Sequence, residues 1–170
     1  TPVVGNLNAT TILNKHSGDL LYLGGSSSLR SFSGYFANGS YISGAVNPIV
    51  FNGTLTKNPS DIGWNGTTFI AGDDDAGTWV FFIQLVLEGT SAGKFAHILL
   101  RKSTNGGSSF TTTVSQSYNQ LFGWLMCGLT HMFNVTSGDQ YQFMIGGSAS
   151  GTIIGSFDGE ALSCGGFKLS

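Results

Sequence analysis

The chain has 170 residues, 41% of them hydrophobic and only 9% charged, with a formal net charge of −2. A chain of this length suits one domain, and with no basic cluster larger than Arg101-Lys102 it carries no electrostatic footprint for a nucleic-acid backbone. No apolar run approaches the length of a bilayer-spanning helix, so no membrane insertion is expected.

Residues 1–31 are polar and turn-rich around Leu20-Leu-Tyr-Leu23, which reads as a short strand in a connecting segment. The start at Thr1 rather than Met leads to the expectation of a processed product, following a stalk or signal. From Phe32 to Ser170, short β-branched and aromatic runs alternate with turn dipeptides, the pattern of an all-β domain of two packed sheets. Strands are expected at 32–36, 41–51, 67–70, 78–88, 95–101, 110–114, 119–126, 129–136, 140–146, 151–157 and 161–169. Asn-Gly dipeptides at Asn38, Asn52, Asn65 and Asn105 supply residues that tolerate the backbone of tight turns. Pro48 cannot donate to a ladder, which assigns its run to an edge or a bulge. No stretch shows sustained helical periodicity.

The stretch from Gly77 to Glu88 sets the architecture. In a strand, Trp79, Phe81, Ile83, Leu85 and Leu87 share one face, while Val80, Phe82, Gln84 and Val86 share the other. An antiparallel strand with one face in water alternates apolar with polar. Both faces here are apolar, so both demand cover, and in an all-β domain a second copy of the chain commonly supplies it. The sequence leaves open which face is the subunit core.

Residues with chemical potential are few. Gly89-Thr-Ser-Ala-Gly93 has the spacing of a hydrolase nucleophile elbow but lies between two strand-like runs, where that motif needs a strand followed by a helix. His16, His97 and His131 sit near no catalytic signature, the carboxylates show no paired spacing, and no two glycines are separated by a single residue, which rules out Gly-x-Gly-x-x-Gly. The expectation is a protein that is not an enzyme. Asp73-Asp-Asp75 is the densest negative charge and the one candidate loop for calcium, set against a plain solvated turn. Cys127 and Cys164 form one disulfide or remain two buried thiols. Asn8, Asn38, Asn52, Asn65 and Asn134 open glycosylation sequons, three of which double as Asn-Gly turns.

Five pieces in order give the chain a resemblance to the C1q/tumour-necrosis-factor superfamily. They are Asn47-Pro-Ile-Val-Phe-Asn52; Asn65-Gly-Thr-Thr-Phe-Ile-Ala-Gly-Asp73 with Ala76-Gly-Thr-Trp-Val-Phe-Phe82; Leu100-Arg-Lys-Ser-Thr-Asn-Gly106; Phe133-Asn-Val-Thr-Ser-Gly-Asp-Gln-Tyr141; and Phe157-Asp-Gly-Glu-Ala-Leu162. Asp73-Asp-Asp75 replaces that family's Ala-Pro turn, and Trp79 stands where Tyr is usual. The resemblance implies a two-sheet antiparallel jelly roll assembling as a homotrimer, its inner sheet facing the subunit core on one side and the three-fold axis on the other. Trp79, Val80, Phe81, Phe82, Ile83, Val86 and Trp124 are then candidates for core or trimer interface; Trp79, Phe82 and Trp124 are of the aromatic type that anchors interfaces. Some relatives in that family hold calcium near the trimer top, the second reason for naming Asp73, Asp74 and Asp75.

The first functional expectation is a non-enzymatic trimeric head domain of a viral or phage fibre or spike, binding a host-surface glycan or protein from the virion surface. The alternative is an extracellular C1q-like recognition or cytokine-like signalling protein. A third reading is a structural capsid or coat decoration protein. No receptor-binding residues are singled out.

Overall fold

The computed structural model describes residues 11–12, 22–23, 29–35, 39–41, 46–53, 55–88, 94–119, 124–148, 151–154, 156–157, 160–161 and 163–170. In chain order, β1 (Thr11–Ile12) and β2 (Tyr22–Leu23) pair with one another and precede β3 (Ser31–Tyr35), β4 (Gly39–Tyr41), β5 (Asn47–Pro48) and β6 (Leu55–Asn58). Then come β7 (Gly63–Trp64), β8 (Thr68–Ile70), a 3-10 turn at Asp73–Asp75, β9 (Gly77–Glu88), β10 (Phe95–Ser103) and β11 (Thr111–Asn119). The chain continues through β12 (Trp124–Val135), β13 (Gln140–Gly147), β14 (Gly151–Ile154), β15 (Ser156–Phe157), β16 (Glu160–Ala161) and β17 (Ser163–Lys168).

Two antiparallel sheets form the sandwich. In one, β9 is the spine: β12 pairs with it along its whole length, while β17 and β14 share its other edge, opposite residues 79–83 and 86–88. Beyond β17 lie β3 and β6, and beyond β14 lies β4. The other sheet runs β11-β10-β13, with β8-β7 and β5 sharing the far edge of β13. β15 and β16 pair with each other.

The alternation of β9 becomes a physical division. Trp79, Phe81, Ile83, Leu85 and Leu87 are buried between the sheets, where they meet Phe69, Ala96, Ile98, Leu100, Tyr141, Phe143 and Ile145 of the opposite layer. Ring centroids lie 4.8 Å apart for Phe69 and Trp79, 4.8 Å for Phe81 and Tyr141, and 4.9 Å for Phe32 and Phe69. Each such pair stabilises by roughly 0.5–1.5 kcal/mol beyond its area burial.

Several strand expectations change. The 41–51 run is not one strand: of its described residues, Tyr41 at the end of β4 and Asn47–Pro48 (β5) form ladders while residues 46 and 49–51 do not, and Pro48 sits on the edge beside Met144, where its missing N–H is harmless. Residues 111–119 form one continuous strand, where a break is expected after Val114. β11 is an edge strand with its Ser and Thr residues exposed, so ladder bonds to β10 hold a sequence with little apolar periodicity. β12 likewise runs unbroken through Gly128. β6 and β7 are too short and mixed for periodicity to reveal. Ser31 is the first residue of β3 and belongs to the sandwich.

Candidate assembly surface

The acidic triplet positions the spine. Asp75 is 1% exposed; its Oδ1 accepts from Arg30 Nε at 2.6 Å and its Oδ2 from the Gly72 amide at 2.8 Å. Its backbone carbonyl accepts from Trp79 Nε1 at 2.7 Å, which fixes the indole in the core. Asp73 Oδ1 accepts from Ser137 Oγ at 2.6 Å, and the Asp74 carbonyl accepts from Lys168 Nζ at 2.9 Å. The two engaged carboxylates diverge to different partners, so the loop expected to offer calcium ligands works as a staple between β8, β9 and the chain termini. Among the described residues, no three His, Cys, Asp or Glu side chains gather to hold a metal ion. At the far end of β13's first turn, Asp139 Oδ2 meets Lys102 Nζ at 2.6 Å and accepts from the Thr136 amide at 2.8 Å. Burial draws the Lys102 ammonium down, but its bonds to Asp139 and Tyr141 outweigh that and leave its pKa above the ordinary value.

The opposite side of β9 faces away from the second sheet and is only partly covered. Val80 and Phe82 are half-buried and Val86 is fully buried, yet Val86 lies outside the sandwich core. Register places Met132 beside Val80, Thr130 beside Phe82 and Met126 beside Val86 on β12; Phe167, Gly165 and Ile154 take the matching places on β17 and β14. Met126 and Met132 are 44% and 56% exposed, a large area for apolar side chains. Phe82 lies flat across Gly165: a Cβ there would fall 2.8 Å from Phe82 Cζ and nearer still to the Phe32 carbonyl oxygen. From Val80 to Val86 this face holds no ionisable group. At its border, β11 and β12 flank an open cleft of about 580 Å³ whose lining includes Gln84, Gln116, Tyr118, Met126, Gly128 and Thr130. The Tyr118 hydroxyl donates to the Gly128 carbonyl across it.

The sequence candidates therefore separate. Trp79, Phe81 and Ile83 are core and take no part in the surface, whereas Val80, Phe82 and Val86 face outward. Trp124 opens β12 opposite Glu88. Met126, Met132 and Phe167 join the face although the sequence did not single them out; their signal is register with β9, which strand patterning alone does not supply.

Cys127 and Cys164 are both free and buried, which corrects the disulfide alternative. Cys127 stands opposite Leu85 on β12 and Cys164 opposite Ile83 on β17, on the two different edges of β9. Two strand spacings of about 4.8 Å separate them, beyond the roughly 7 Å that a bridge tolerates between Cα atoms. Burial pushes the Cys127 thiol up to about 12 and the Cys164 thiol up as well.

Residues 89–93, His16, Asn8 and Asn38 lie outside the described residues. The strands flanking 89–93 are β9 and β10, so no helix follows the serine motif. His97 is half-buried beside Phe95, and His131 is exposed against Phe133. Asn65 Oδ1 accepts from the Thr67 and Thr68 amides at 2.9 and 2.8 Å, and Gly66 has φ of 88°, so this Asn-Gly pair is the β7–β8 turn. Asn52, Asn65 and Asn134 are exposed.

No family model and no curated protein sequence matches the chain. Solved structures do. Murine APRIL at pH 5.0 superposes with a TM-score of 0.59 at 12% identity, covering 84% of this chain and 100% of that one. Eiger TNF from S. frugiperda superposes with a TM-score of 0.61 at 9% identity, covering 84% of this chain and 93% of that one. The chain has a TNF-type fold. The jelly-roll architecture implied by the resemblance holds. The virion framing of the fibre, spike and capsid expectations is corrected: the similar structures named above are murine APRIL and Eiger TNF from S. frugiperda, not virion proteins. Low charge misled there: it reflects exposed Ser, Thr and Asn on edge strands such as β11, which a TNF-type sandwich accommodates equally well. No helix among the described residues is long and apolar enough to cross a membrane.

Proposed function

We propose that this domain is an extracellular recognition or signalling module of the C1q/TNF kind, which acts as a homotrimer and engages a partner at a cell surface. The observation that carries the reading is the outward face of β9 and β12: Val80 and Phe82, half-buried, and Met126 and Met132, exposed, form a charge-free apolar surface beside the buried Val86. Exposed apolar patches of this kind mark interaction sites, and a closed ring of identical subunits covers the same patch on every copy. A similar fold in APRIL and Eiger TNF supports the reading.

Sedimentation equilibrium at micromolar concentration tests it. The expected species has three times the 17.8 kDa mass of the chain. Phe82→Glu and, separately, Met132→Glu place a carboxylate in the apolar face and are expected to yield folded monomers, since neither side chain is fully buried within its own subunit. A monomeric wild-type domain would refute the proposal.

A further inference from the structure

Among the described cations Arg101 is set apart. Arg30 is paired with Asp75 and Asp61, Lys102 with Asp139, and Lys168 donates to the Asp74 carbonyl, while Lys57 and Lys94 are exposed. Arg101 is half-buried, its Nε is sealed from solvent without an acceptor, and its guanidinium has no partner among the described residues. Holding a guanidinium partly out of water with a donor unmatched is unfavourable, and an acceptor at the exposed part of the guanidinium would offset part of that cost.

The surroundings define the acceptor. Ala96, Ile98 and Leu100 point into the core, so Leu99, Arg101 and Ser103 lie on the outward side of β10, on the sheet opposite the assembly face. Register sets Thr112, Arg101, Gln142 and Thr68 in one row across β11, β10, β13 and β8, and Gln142 Nε2 donates to Thr68 Oγ1 at 2.9 Å. The pairing with β11 shifts at this point, Thr113 being the extra residue opposite the Leu100–Arg101 step, while β10 keeps its register with β13. In the next row Leu99 faces Met144; both are buried, yet neither belongs to the core. Val46, Val50 and Ile70 are exposed apolar residues of the strands and connections beside them.

We propose that Arg101, with Gln142 and Thr68 beside it and the exposed Val46, Val50 and Ile70 on the neighbouring segments, is a docking site for an acidic side chain on a protein partner. A guanidinium holds a carboxylate through paired N–H donors, and arginine among apolar neighbours is the composition of a protein interface core. An acidic sugar would match the charge and leave the apolar row against hydroxyls. The inference rests on the recognition reading for there being a partner, but it does not use the assembly face.

The test is selection of a random peptide display library on the intact domain, followed by binding of the selected peptides to variants. The expected peptides share an Asp or Glu, lose at least tenfold in affinity on Arg101→Gln, bind Lys57→Gln like wild type and weaken as salt rises. Arg101→Gln is expected to melt at or above the wild-type temperature, because no bond to a described residue is lost. Selected peptides without an acid, or indifferent to Arg101→Gln, would overturn the site; so would a fall of several degrees in melting temperature, or a sialylated glycan array bound through Arg101 in place of the peptides. Arg101-dependent binding by a monomer would remove the trimer and keep this site, whereas a trimer with Arg101-independent binding would do the reverse.

Discussion

Asp75 shows how one buried carboxylate organises its surroundings: it neutralises Arg30, caps its own turn through the Gly72 amide, and its carbonyl fixes the Trp79 indole. Removing one member of a buried pair leaves the other charge uncompensated and costs about 3–5 kcal/mol. Asp75→Ala is therefore expected to lower unfolding stability by about 3 kcal/mol, and by clearly less in an Arg30→Met background; urea denaturation of the four proteins measures both. The buried thiols give a pH signature. Because the folded pKa of Cys127, about 12, lies above its unfolded value of 9.0, the protonated thiol contributes stability that is complete below the unfolded value and is lost as pH rises toward the folded one. Under reducing conditions the loss between about pH 8 and 10.5 from this thiol is on the order of 2 kcal/mol. Cys127→Ala is expected to flatten the alkaline slope, whatever it does to stability at neutral pH. Equal slopes for both proteins would show that the thiol is not desolvated in the folded state.

At the scale of elements, Gly165 lets β17 pass under the Phe82 ring. Gly165→Val would drive the new side chain into that ring and against the Phe32 carbonyl, with an overpacking cost of roughly 1–3 kcal/mol; thermal melts are expected to show this loss along with weaker assembly. β9, β10, β13 and β17 were legible in the sequence to within about two residues, because each buries a dense apolar face and ends at a turn signal. β11 was not, since Thr111–Asn119 is held by ladder bonds and by contacts of Val114 and Tyr118 with the core rather than by alternation. The candidate site was half legible. Two apolar faces on 78–88 could be read from residue types, but Met126, Met132 and Phe167 enter it through cross-strand register, and Trp79 leaves it through its bond to the Asp75 carbonyl. The Arg101 guanidinium, without a partner among the described residues, was not legible at all, because pairing is a property of three-dimensional packing.

At the scale of the molecule, composition could bound the fold and could not choose the biology: the same low charge fits any sandwich whose edges are rich in Ser and Thr. What distinguishes this one is the chemistry of its two outward faces. The β9 face offers no charge from Val80 to Val86, so association through it must draw on apolar burial, which salt does not screen. The β10 face offers the Arg101 guanidinium, which has no partner among the described residues. If the first face assembles the subunits, folding is coupled to association and the melting temperature rises with protein concentration. Melts of the wild-type domain over a hundredfold concentration range are expected to shift upward by several degrees, to the same extent at about 0.05 M and 0.5 M sodium chloride, and the shift is expected to vanish in Phe82→Glu. A shift that shrinks at high salt would place ionic contacts at the interface and exclude the β9 face as its centre. A melting temperature independent of concentration would mean that Met126 and Met132 are not covered by sibling subunits.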